Sequence, residues 1–298
     1  MPALELEWFG CTTYRLRVGA LVLMFDAYLD KAPGAEPAGL RADVIDRCDY
    51  VFVSHAHFDH MVDAADIARR TGATVVASYE TVRVLRAEGI RDEQLLPVSG
   101  GETIVCADDV RVRVLPGLHS CLFAASTSDS GSSCLGDLHV GHQQRRRTTA
   151  ELFALLPHAT PGAVDYFTRV ADRCSSDDGG QLVFHLDSPG GSVLVSASSG
   201  YWTGLSRDLR PDLAILALNG RPNVDGEPFQ GSLADYLLGY VHLLRPRQVT
   251  LCHHDALLPP VAPAVDATEA LRRLTDEAPD VCYVDLPLLT PTTLALRP

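Results

Sequence analysis

Polar and apolar residues alternate with a period of two over Glu5-Leu6-Glu7-Trp8-Phe9 and Thr13-Tyr14-Arg15-Leu16-Arg17-Val18, which predicts two half-buried strands. Gly19-Ala20 is a turn signal, and Leu21 to Phe25 is an unbroken apolar run of strand length. Lys31 to Leu40 is rich in Pro, Gly and Ala and reads as a loop, Asp43 to Arg47 as a short helix, and Tyr50 to Val53 as a buried strand. Met61 to Thr71 carries apolar residues at helical spacing and stops at Gly72. Thr74 to Ala77 is a strand, Thr81 to Ala87 a helix closed by Gly89, and Thr103 to Cys106 with Val110 to Leu115 a hairpin through Asp108-Asp109.

The pattern loosens from about 121 to 180. Ser126 to Ser133 is small and polar, while Thr148 to Leu156 and Val164 to Cys174 are amphipathic helices. This segment is expected to be an insertion that caps or walls a site, with Asp137, His139 and His142 as polar contacts. Strand patterns then resume at Gln181 to Leu186 and Val193 to Ser196, a hairpin, and at Leu213 to Leu218 and Val249 to Cys252. Helices are expected at Leu233 to Leu244 and Thr268 to Asp276, with a final edge strand at Val281 to Asp285. Strands and helices in this order predict an α+β architecture of mixed sheets with helices packed outside.

Chemistry concentrates where the strand Tyr50 to Val53 ends, at His55-Ala56-His57-Phe58-Asp59-His60. Histidines two apart on extended chain point to the same side, so both can reach one ion. If a helix then begins, Asp59 and His60 fall in its first turn and approach nearly the same point. Imidazole and carboxylate together suit zinc, manganese or iron.

His55-x-His57-x-Asp59-His60, after a strand and before a helix, resembles the metal-binding motif of the metallo-β-lactamase superfamily. The resemblance implies a four-layer αββα sandwich over residues 1 to 298 as one domain, modified by the 121 to 180 insertion. It implies one ion held by His55, His57 and a later histidine, placed at His119 just past the hairpin's second strand. A second ion is implied at Asp59, His60 and a last histidine at the end of Val249 to Cys252. There His253 is preferred over His254, because successive side chains face opposite ways; His254 is left to contact substrate. Asp26, ending its strand, is similar to an acidic residue that supports the ligands from behind. The sequence departs from the pattern where the family carries an aspartate bridging both metals: Ser198 stands there. A neutral hydroxyl offsets none of the repulsion between two cations, so the second ion is expected to bind more weakly than the first.

The resemblance implies a metal-dependent hydrolase in which a metal-bound hydroxide cleaves an ester, lactone, amide or phosphodiester, with Asp59 orienting the water or acting as base. The opening Trp8-Phe9-Gly10 and the short His253-His254-Asp255 ending look closest to the lactonase and phosphodiesterase-like branch. The competing class is a non-catalytic or ligand-sensing protein with a degenerate second site.

Composition narrows the partners. A formal charge of −13 argues against general nucleic-acid binding, and the compact basic run Arg145-Arg146-Arg147 reads as a solvated helix start. A small-molecule substrate is expected instead. The apolar runs are too short to span a membrane, the start lacks signal-peptide features, and the eight cysteines are scattered singly, so free thiols and a cytoplasmic location are expected. Cys121 and Cys252, near the suspected ligands, read as small buried hydrophobes.

Overall fold

The structure, a computed structural model, describes residues 4–123 and 141–296. Asp137, His139 and the run Ser126 to Ser133 lie outside the described residues.

The first half of the chain forms β1 (Leu4–Trp8), β2 (Tyr14–Val18), β3 (Leu21–Phe25) and β4 (Tyr50–Phe52), then two helices, α1 (Phe58–Met61) and α2 (Ala64–Thr71). β5 (Thr74–Ala77), α3 (Tyr79–Ala87) and β6 (Leu95–Pro97) follow. The strand β1 pairs antiparallel with β2 and β2 with β3, whereas β3, β4, β5 and β6 run parallel. Alternation sets the faces of β2: Tyr14, Leu16 and Val18 are buried, while Arg15 and Arg17 turn outward and pair with Glu7 and Glu5 on β1. In β3 to β5 both faces are covered, which is why these strands read as continuous apolar runs.

The expected single helix Met61 to Thr71 is interrupted. Asp63 breaks it: its backbone N–H donates to the Ala27 carbonyl and its carboxylate accepts from Leu29 N–H (2.7 Å) and Asp30 N–H (2.9 Å). Gly72, at φ +77°, ends α2 in the left-handed conformation that glycine tolerates. The helix expected at Asp43 to Arg47 is a single 3₁₀ turn at Ala42–Val44.

The hairpin β7 (Thr103–Ala107) and β8 (Val110–Pro116) starts the second sheet. α4 (His142–Leu155) and α5 (Ala163–Val170) then lie outside both sheets. α4 begins earlier than the amphipathic pattern because its first turns bury no side chain and so carry no apolar periodicity. The remaining elements are β9 (Leu182–Ser188), β10 (Gly191–Ser196), β11 (Gly200–Tyr201), α6 (Thr203–Ser206) and β12 (Leu213–Ala217). They continue with β13 (Asn223–Val224), β14 (Glu227–Pro228), α7 (Leu233–Leu244), β15 (Gln248–Cys252), α8 (Thr268–Glu277), β16 (Cys282–Tyr283) and β17 (Thr292–Leu294).

Two seven-stranded sheets result, ordered β17-β1-β2-β3-β4-β5-β6 and β16-β15-β12-β10-β9-β8-β7, with β11, β13 and β14 as a small third sheet. The expected final edge strand is present as β16, but the chain continues and closes as β17 beside β1. Phe25, Phe52 and Phe184 meet with Val112, Val195 and Ile215 between the large sheets. α2 and α3 cover one outer face, and α7 and α8 the other. This is the four-layer sandwich. None of the described helices is long and apolar enough to cross a membrane.

Candidate metal centre

The motif leaves the end of β4, and β8, β10, β12 and β15 send their following residues to the same edge of the sandwich. Carboxyl ends of parallel strands converge there, so loops carrying polar side chains meet over a rigid apolar base. His55, His57, Asp59 and His60 are all buried, at no more than 5% exposure, which is unusual for such residue types without paired partners.

The side chains gather into two groups. One ligand atom from each of His55, His57 and His119 lies within 4.8 Å of the others. His55 Nε2 and His57 Nδ1 are 3.1 Å apart. His119 Nδ1 is 2.8 Å from the Ser120 carbonyl; donating there, it leaves Nε2 as an acceptor. The second group centres on Asp59 Oδ2, which is 3.2 Å from both His60 Nε2 and His253 Nε2. His60 Nε2 is buried without a hydrogen-bond partner among the described residues, despite its closeness to Asp59. A buried nitrogen facing a carboxylate and a second imidazole, unmatched by a donor or acceptor in line, fits a ligand of a divalent cation.

Asp26 stands behind this second group. Its carboxylate accepts from Ser54 N–H (2.7 Å), from Ser54 Oγ (2.9 Å) and from His60 Nδ1 (2.7 Å), fixing the His60 ring. Ser198 Oγ accepts from Ser120 N–H at 3.1 Å, next to His119. His253, at φ +57°, places its Nδ1 3.0 Å from the Asn219 carboxamide. The His254 ring stacks on Trp8 at 5.4 Å, and the residue is not among those lining the cavity.

The two groups differ in charge. Burial, reinforced by neighbouring imidazoles, holds His55 and His57 well below the usual histidine range, and burial also lowers His119. For His60 burial acts downward but Asp59 and Asp26 prevail, raising it to about 10. Burial likewise opposes, and Cys11 and Asp59 outweigh it, for His253, which is raised well above the usual range. Against its own burial, Asp59 is held well below the carboxylate range by His60 and His253. Burial thus favours neutral imidazoles in the first group, whereas Asp59 draws His60 and His253 toward their protonated forms.

A cavity of about 520 Å³ opens over both groups, with His57, Asp59, His119, Ser198 and His253 on its floor. Phe153 and Leu156 form one wall, and Leu257, Leu258 and Val261 another. Phe153 packs on the His57 ring at 4.6 Å, so α4 reaches the site. His142 lines a neighbouring cavity of about 420 Å³ on the other side of His119. Two residues of the basic run form ion pairs, Arg145 with Glu227 (2.9 Å) and Arg146 with Asp177 (2.7 Å), and Arg147 donates to Gln144 Oε1 (3.0 Å).

Two residues escaped sequence reasoning. Asn219 follows β12 with no signal beyond its strand end. Cys11 has its Sγ in the second group, whereas Cys121 and Cys252 are buried and belong to neither.

The β-lactamase superfamily domain profile matches residues 22–143. A UPF0173 metal-dependent hydrolase of Pyrobaculum calidifontis is 31% identical over 117 residues, 39% of this chain and 51% of the relative. The chain thus spans about half the length of the curated relatives it matches. Among solved structures, Igni18, a metallo hydrolase from Ignicoccus hospitalis, superposes with a TM-score of 0.65 at 18% identity over 98% of each chain. CmlA, a diiron β-hydroxylase from Streptomyces venezuelae, gives 0.58 at 19% identity over 99% of this chain and 54% of its own. At such identities the structural likeness is one of fold.

Proposed function

We propose that this chain is a member of the metallo-β-lactamase superfamily and a metal-dependent hydrolase of a neutral ester, lactone or amide bearing an apolar group. The observation that carries the reading is the convergence of the two ligand groups on the floor of one largely apolar cavity. His55, His57 and His119 would hold one ion, and Asp59, His60 and His253 a second; zinc suits them, and manganese or iron would also serve. A divalent ion so held acidifies a water and stabilises the negative charge that develops on a carbonyl oxygen.

The protein's own groups supply the rest. Asp59, kept as a carboxylate, orients the attacking water and takes its proton. Asp26 keeps the His60 Nδ1 proton in place, so Nε2 stays an acceptor toward the ion. Asn219 sets its carboxamide Nδ2 3.0 Å from His253 Nδ1; with the amide turned over, its oxygen would accept from that nitrogen and fix the ring in the same way. Ser198 accepts from Ser120 N–H, so its own hydroxyl proton is available to the substrate carbonyl. Phe153, Leu156, Leu257 and Val261 exclude water and bind an apolar acyl or leaving group.

Charge favours the carboxyl over the phosphoryl class. Among the described residues no lysine or arginine lines the cavity, while Asp266 and Glu269 do, and an anionic substrate would meet negative charge beyond the ions. The same reasoning disfavours nucleic acid. Free thiols at Cys11, Cys48, Cys106, Cys174, Cys252 and Cys282 fit a reducing, cytoplasmic setting.

The test is a panel of aryl esters, lactones and phosphodiesters offered to metal-depleted protein before and after zinc, manganese or iron is restored. Turnover of carboxyl substrates with apolar groups, lost on chelation and regained with metal, is expected. Faster turnover of phosphodiesters would overturn the substrate class, and tight binding of the same compounds without turnover would point to the sensor.

A further inference from the structure

The group around Asp59 has a member from outside the histidine motif. One ligand atom each of Cys11, Asp59 and His253 lies within 4.8 Å of the other two, and all three residues are buried or nearly so. The geometry points to Cys11 as a thiolate ligand of the ion held by Asp59, His60 and His253. The assignment rests on the metal-dependent reading above and adds a residue that the motif does not contain.

The position of Cys11 is fixed from several directions. It follows Gly10 in the turn between β1 and β2, with φ of +86° and then +50°. Its backbone N–H donates to Asp255 Oδ2 at 2.7 Å, and its carbonyl accepts from Trp8 Nε1 and from His253 N–H, both at 3.1 Å. The loop carrying Cys11 and the loop carrying His253 and Asp255 are therefore bonded to each other. A non-glycine residue in the left-handed region is uncommon, and here the surrounding hydrogen bonds impose it.

An independent observation marks the space as a ligand site. His60 Nε2, fully buried, has no hydrogen-bond partner among the described residues and faces the same carboxylate as His253. Thiolate, carboxylate and two imidazoles make four ligands of the kinds zinc takes in tetrahedral sites. The charge also balances better. Ser198 brings no negative charge between the ions, whereas Cys11 and Asp59 together bring two to one of them. On binding, the thiol proton passes to solvent as the sulfur–metal bond forms, and no redox change is involved. A soft sulfur ligand favours zinc, cobalt or iron over manganese and magnesium. The second site is then compensated from β1–β2, not merely weakened by Ser198.

The test uses the full chain loaded with two equivalents of zinc or cobalt(II). Zinc X-ray absorption on the unmodified protein should show a sulfur neighbour at about 2.3 Å. Cobalt should give a thiolate-to-metal charge-transfer band that is absent from Cys11→Ser. In that variant the more weakly held ion should lose at least about tenfold in affinity, with its preference for zinc over manganese reduced and the first ion unchanged. If Cys11→Ser does not fold, the unmodified protein alone decides through its sulfur signal. Bound ions without any sulfur neighbour, or an unchanged cobalt band in Cys11→Ser, overturn this assignment alone. Failure to bind any ion overturns it together with the hydrolase reading.

Discussion

Asp26→Asn tests whether the hydrogen bonds behind the ligands control the site. The carboxylate now accepts three hydrogens, from Ser54 N–H, Ser54 Oγ and His60 Nδ1, at 2.7, 2.9 and 2.7 Å. Asparagine has nearly the same shape and tolerates the left-handed backbone at this position, φ +53°, so conformation is conserved while charge is removed. With its oxygen on Ser54 N–H, its NH₂ meets His60 Nδ1, which must then accept, and the ring proton moves to Nε2. That nitrogen can no longer hold an ion. With the amide reversed, two donors face each other at Ser54, at a cost of about 1–3 kcal/mol of stability. Loss of a supporting hydrogen bond typically weakens a metal site by about 10–100-fold, or roughly 1.4–2.7 kcal/mol. The Asp59/His60/His253 ion should weaken by that amount and the His55/His57/His119 ion much less. Competition against a chromophoric chelator, with thermal melting of the metal-free protein alongside, measures both. Equal affinity for both ions in Asp26→Asn and in the unmodified chain would refute the reasoning.

Three further outcomes follow from the geometry. Binding of the ion at Asp59 should release about two protons near neutral pH, because His60 and His253 have raised values and must lose their protons. Groups raised above 6.5 remain protonated until pH passes their folded values, so affinity should rise with pH from about 6.5 towards 10; calorimetry in buffers of different ionisation enthalpy gives the count. The first ion should release none, since burial keeps its three imidazoles neutral. Gly200→Ala would place a Cβ 2.5 Å from the Leu118 carbonyl oxygen, so the chain leading into His119 must shift; equilibrium dialysis should show weaker first-ion binding, and unchanged affinity with unchanged folding would count against a close approach there. Phe153→Ala removes an apolar wall; KM for an apolar ester should rise by up to about tenfold, near 1.4 kcal/mol, with metal content unchanged.

Much of the fold was legible because its strands are either strictly alternating, as in β2, or buried on both faces, as in β3 to β5. The histidine motif was legible because local spacing alone brings its residues together. Longer-range features were less so. His119 and His253 could be placed only by counting past strand ends, and the structure brings them to the two groups. Cys11 carried no local signal: pairing of β1 with β2 and the hydrogen bonds to His253 and Asp255 bring it to the site, from distant sequence. The break between α1 and α2 depends on Asp63 bonding to a loop far upstream, and the early start of α4 on polar turns without periodicity. Ser198 was legible as a substitution, but the residue that could offset it was not.

The most direct test of the central claim is parallel measurement of bound metal and ester turnover in the unmodified chain, His57→Ala and His119→Ala. Elemental analysis of the unmodified protein should find zinc or a similar divalent ion, with turnover abolished by chelation and restored by metal. Each variant should remain folded by circular dichroism yet lose the ion held by His55, His57 and His119, and with it turnover. Full metal content in either variant, or turnover that persists in metal-depleted protein, would contradict the account.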